Sequence, residues 1–142
     1  MAKLFPILLI LHFIGLAMGL SVAFSGMIMG ALMGKTPPAE RPVLARFMPM
    51  MSRIGDIGLV LLWVSGLTML FTKWGGFAEM PGTFHAKITL VVLLTLLVGY
   101  IHSQQARLKK GDTSAQGRIE KLGRVTFLLA LSIIVLAVLT FQ

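Results

Sequence analysis

Residues 4–33 read LFPILLILHFIGLAMGLSVAFSGMIMGALM, thirty positions without an Asp, Glu, Lys or Arg. A bilayer core about 30 Å thick takes about 20 apolar residues at about 1.5 Å of helix rise each. This stretch is long enough to cross a membrane by tilting or by extending beyond the lipid. Three further apolar runs, Ile54–Phe71, Phe84–Ser103 and Leu122–Phe141, repeat the pattern. Short connections make sequential spans antiparallel neighbours. The expected architecture is an all-α, integral-membrane, four-helix up-down-up-down bundle, one domain over residues 1–142.

The intervening residues support that reading. Gly34–Arg53 and Gln104–Lys121 are polar, punctuated by Thr36-Pro37-Pro38 and Gly111-Asp112-Thr113-Ser114, and Thr72–Thr83 is a shorter link with Gly75-Gly76 and Pro81-Gly82. The chain is 56% hydrophobic and 13% charged, with net charge +8. Its charge sits between apolar runs instead of on a soluble basic face, so no nucleic-acid partner is expected. The absence of cysteine excludes disulfides, iron–sulfur ligation and thiol catalysis. No small-residue cleavage site follows the first run cleanly, so an uncleaved first span is expected. Lys35, Arg41, Arg46, Arg53, Arg107, Lys109, Lys110, Arg118, Lys121 and Arg124 flank the first and third connections; Lys3, Lys73 and Lys87 fall on the opposite side. The positive-inside rule then predicts a multi-pass protein of the inner (cytoplasmic) membrane with both termini outside. The cluster Arg107, Lys109, Lys110 orients the chain and meets anionic lipid.

Three histidines stand in or at the edge of the apolar runs: His12, His85 and His102. An ionisable or ligating group at membrane depth is costly and marks a functional site by default, and neutral imidazole is a ready ligand for haem iron. His12 lies about 12 Å below the outer boundary at about 1.5 Å per residue. His85 opens the third span on that side, and His102 closes it about 25 Å further along. The sequence thus pairs His12 with His85 as axial or metal ligands and leaves His102 to a second site or a boundary role.

Gly15, Gly19, Ala23, Gly26, Gly30 and Gly34 share the helix face that His12 heads. Such a stripe serves close helix packing, within the bundle or in a homodimer, or a flat porphyrin lying beside its ligand. Lys87, Val91, Thr95, Val98 and His102 share a face of the third span. Lys87 there either snorkels or binds a carboxylate such as a porphyrin propionate. Asp56 is expected to pair with Arg53 at i,i+3, with a proton-relay role as the alternative. Ten methionines, Met27, Met29, Met48, Met50 and Met51 among them, are packing material or thioether ligands for copper or haem. Trp63, Trp74 and Tyr100 read as interfacial or pocket aromatics.

Several local strings together resemble a known family. They are Leu11-His12, Met48-Pro49-Met50, Trp63-Val64-Ser65-Gly66-Leu67, His85-Ala86-Lys87 and Gly99-Tyr100-Ile101-His102 before a basic loop. The pattern resembles the four-span HemJ-type protoporphyrinogen oxidases and, more loosely, the CopD-like copper-resistance membrane domain. The resemblance implies haem b, with His12 and Lys87 functional and Lys87 in a catalytic position. The expected function is therefore a membrane haem b redox protein that oxidises protoporphyrinogen or exchanges electrons with quinone. Its cofactor residues would be His12, His85, Lys87, Gly15 and Gly19. The alternatives are copper handling through His and Met sites, and a non-catalytic assembly factor dimerising through the glycine face.

Overall fold

The computed structural model describes residues 3–140. Four long helices and one short one follow in order: α1 Leu4–Lys35, α2 Arg41–Ala45, α3 Met48–Lys73, α4 Gly82–Lys109 and α5 Ser114–Thr140. Four segments are long and apolar enough to cross a membrane: α1, α2 joined with α3, α4, and α5. The chain is an all-α multi-pass membrane bundle.

The helices overrun the apolar runs that announced them. At about 1.5 Å per residue, α1 is about 48 Å long against a hydrocarbon core of about 30 Å. Most of Gly34–Arg53 and Gln104–Lys121, expected as polar connections, is helix instead. Hydropathy marks where lipid begins, whereas backbone hydrogen bonding continues into the headgroup region. Phe141, the expected end of the last span, lies outside the described residues.

Local chemistry sets the true ends. Thr36 precedes Pro37 and is extended, with ψ 134°, as a residue before proline prefers. Pro42 and Pro49 stand in the first turns of α2 and α3, where a missing N–H costs nothing. Gly75 at φ 71° and Gly76 at φ 122° turn the chain after α3; an L side chain would be strained at either. Ahead of α5, Asp112 accepts hydrogen bonds from the Ser114 hydroxyl and amide. Those bonds, with Arg118 and Arg107 nearby, hold the Asp112 carboxyl below its usual range.

Each long helix lies antiparallel to its two neighbours, in the cyclic order α1, α3, α4, α5. One end of the bundle carries the two basic connections and is called here the basic end; the other carries the α3–α4 link and is the link end. The four seams differ in chemistry. Between α1 and α3 the backbones touch: a Cβ on Gly15 would sit 2.8 Å from the Gly58 carbonyl oxygen, and one on Gly58 would sit 2.9 Å from that of Gly15. Between α1 and α5, Phe24 meets Phe127 edge to face at 4.7 Å, and Gly30 admits the Glu120 side chain. The α4–α5 seam joins Gln104 to Arg118 at 2.9 Å and Thr83 to Thr140 at 3.0 Å.

Across α3–α4 the ties are side chain to side chain: Ser52–Gln105, Asp56–His102 and Trp63–Thr95. Leu70, Met80 and Phe84 close that seam at the link end. Large apolar residues such as Phe13, Val60, Leu96 and Leu128 stay exposed on the outside, as lipid-facing positions do.

Valine at position 58 forces its side chain into the α1 backbone, an overpacking that costs about 1–3 kcal/mol. Gly58→Val should lower thermal stability in detergent. Gly34→Ala, whose new Cβ meets nothing within 4 Å, should hold or raise it.

Candidate functional site

His12 stands on α1 one turn toward the link end from the Gly15–Gly58 contact. That close approach brings the imidazole against α3. Its Nδ1 lies 3.0 Å from the Ser65 Oγ, and Gly66 leaves the space for the ring, its Cβ position only 3.3 Å from His12 Cε1. Ser65 is 1% exposed and donates its own proton to the Leu61 carbonyl one turn back. Its oxygen is thereby left as an acceptor, so His12 donates from Nδ1. A neutral imidazole protonated at Nδ1 carries its lone pair on Nε2. The Lys87 ammonium lies within its electrostatic reach. Lys87 is half-buried near the start of α4.

The face shared by Lys87, Val91, Thr95, Val98 and His102 is partly buried at all five positions and turned into the bundle. Thr95 accepts the Trp63 indole N–H at 3.0 Å, so Trp63 belongs to the middle of the α3–α4 seam, not to an interface. His102 meets Asp56 at 2.8 Å with both side chains partly open, 39% and 48% exposed. This overturns the Arg53–Asp56 pairing expected from spacing alone. Asp56 points across to α4, where a second helix offers it an imidazole, while Arg53 is exposed.

His85 is exposed in the first turn of α4, its ring 6.3 Å from that of Phe84. The three histidines therefore occupy three surroundings: a hydrogen-bonded interior niche, an exposed first turn and an ion-paired seam. Among the described residues, no three His, Cys, Asp or Glu side chains gather as a metal site. Gly15 spends its missing side chain on α3, whereas Gly19, Gly26 and Gly34 have open space where a Cβ would be. Met33, Met69 and Met80 are buried packing. Trp74 packs beside Phe5 and the Leu70 cluster, and Tyr100 is exposed.

Two residues that matter here carry no sequence signal of their own. Ser65 stands inside the Trp63–Leu67 string with no role of its own there, and only the inter-helix register makes it the partner of His12. Gln104, 1% exposed, holds the Arg118 guanidinium and sits in what reads as a polar connection.

Four spans enclosing a hydrogen-bonded histidine, a half-buried lysine and an imidazole–carboxylate pair define a multi-pass membrane bundle with polar interior sites. No family model, curated protein or solved structure matches the chain.

Hydrogen bonds between membrane helices average about 0.6 kcal/mol and reach about 1.7. A double-mutant cycle on Asp56→Asn and His102→Ala should give a coupling in that range. The same cycle on Arg53→Ala and Asp56→Asn should give none; a reversed result would restore the i,i+3 pair.

Proposed function

We propose that this protein is a haem b-binding redox protein of the cytoplasmic membrane, in which His12 would hold the haem iron through Nε2. The observation that carries the reading is the His12–Ser65–Leu61 hydrogen-bond relay. Metal-ligating histidines characteristically donate their second ring N–H to an oxygen that fixes the tautomer, and here Ser65 supplies that oxygen at 3.0 Å. The donor set fits the group: a neutral imidazole with a bare nitrogen, and a lysine within its electrostatic reach. The bound porphyrin would supply one-electron chemistry that no side chain here can.

The chain's own residues do the rest. Ser65 fixes the tautomer and the orientation of the imidazole. Gly66 gives the ring room, and the Gly15–Gly58 contact fixes its distance from α3. Lys87 provides a cation in a partly desolvated setting, suited to a propionate or to the carboxylate of a porphyrin substrate. His85, on the same end, is the second-ligand candidate. The resemblance to HemJ-type enzymes supports protoporphyrinogen as the reductant and a quinone as the electron acceptor. The charge distribution supports an orientation with both basic connections in the cytoplasm and both termini outside.

Protein purified from haem-replete membranes should show a Soret band and sharp reduced bands. His12→Ala should abolish them, and Ser65→Ala should weaken haem retention roughly 10–100-fold. Full haem occupancy in His12→Ala would remove the ligand assignment. Colourless protein containing copper would replace haem with copper handling, and a colourless, metal-free dimer would favour an assembly role.

Orientation has its own test, since the chain has no cysteine. A membrane-impermeant maleimide on intact cells should label Glu79→Cys and spare Lys109→Cys.

A further inference from the structure

At the link end, a cleft of about 370 Å³ opens between α1 and α3, walled by Leu4, Phe5, Thr72 and Lys73. This is within the size range of small-ligand sites, about 300–1,000 Å³. Its one cation is held in place: Lys73 Nζ lies 4.0 Å from the centroid of the Phe5 ring and 4.9 Å from that of Trp74. Those rings meet edge to face at 6.0 Å, and Trp74 packs in turn on the buried Leu70, Met80 and Phe84 cluster. The ammonium is folded back over aromatic faces anchored in the core and is not extended freely into water.

No carboxylate answers it. Among the described residues no ion pair involves Lys73, and the His102–Asp56 pair stands at the other end of the bundle. The Thr72 hydroxyl donates to the Thr68 carbonyl at 2.7 Å, so it offers the cleft lone pairs and no proton. An occupant must therefore bring an anion to Lys73 and an apolar body to Leu4 and Phe5. The cleft lies at the last turn of α3, where Leu70-Phe71 gives way to Thr72-Lys73-Trp74. A lysine beside a tryptophan at a span end marks headgroup depth. At that depth the bilayer itself presents a phosphate joined to acyl chains.

We propose that this cleft is a specific site for an anionic phospholipid, the phosphate on Lys73 Nζ and the upper acyl chain along Leu4 and Phe5. The site is separate from the His12 niche, and its test does not depend on haem.

Trp74 reports directly on the site, and the chain has only one other tryptophan. Trp63→Phe protein in detergent can be titrated with phosphatidylglycerol brominated on its acyl chains, with brominated phosphatidylcholine, and with inorganic phosphate as competitor. Phosphatidylglycerol should quench Trp74 saturably and at lower concentration than phosphatidylcholine. Lys73→Gln should raise half-saturation roughly fivefold, the weight of one basic side chain near a lipid surface. Lys73→Arg should keep the preference, and Lys109→Gln at the basic end should leave it unchanged. Equal quenching by both lipids, non-saturating quenching, or no change in Lys73→Gln would each overturn the proposal. Full displacement by inorganic phosphate would assign the cleft to a free anion instead.

Discussion

The contact of Gly15 with Gly58 is the constraint on which the bundle depends. Lipid tails are as apolar as leucine, so helices in a bilayer gain little by burying apolar side chains against each other. They associate where backbones come close or where polar groups meet. With no side chain between them, α1 and α3 approach until each carbonyl lies under 3 Å from the other glycine's Cβ position. Every neighbouring placement follows from that distance. Val22 settles over Gly55, the His12 ring fits over Gly66, and its Nδ1 reaches the Ser65 hydroxyl. A longer separation would leave a buried serine and a half-buried imidazole each without the other, an expensive arrangement in hydrocarbon.

The interior is polar in a graded way along the α3–α4 seam. Its ties run from Ser52–Gln105 through Asp56–His102 to Trp63–Thr95, and the seam ends in the apolar Leu70 cluster. Hydrogen bonds thus hold the half nearer the basic end, and packing holds the link end. His12 and Lys87 bring an imidazole and a cation to that link half, from α1 and α4. Two chemically distinct polar regions therefore share one bundle. One is a tautomer-fixed imidazole beside a lysine, and the other is an imidazole paired with a carboxylate.

Much of this was legible in the chain because hydrocarbon constrains composition severely. Thirty uncharged residues admit few readings, so the spans and the helical class follow from the sequence alone. Helix ends are less legible, because that constraint lapses where the chain leaves the lipid; residues 41–53 and 104–121 are polar and yet mostly helical. His12 and Lys87 stand out as anomalies in apolar runs, and the inward face of α4 follows from residue spacing. Their partners do not, because pairing depends on which glycine of α1 seats on which glycine of α3. Asp56 shows the limit: its chain neighbour Arg53 is the obvious partner by periodicity, and a residue 46 positions away takes its place.

The unequal seams divide the molecule into two hairpins, α1 with α3 and α4 with α5, each closed by a basic connection. Each can enter the bilayer as a unit, its outer residues already solvated by lipid, before the two meet. Their meeting at α3–α4 is then sorted by donors and acceptors instead of by shape. A slip of one helical turn would part Ser52 from Gln105, Asp56 from His102 and Trp63 from Thr95 together. Register is thereby proofread at docking, in a solvent where an unmatched polar group has no water to fall back on.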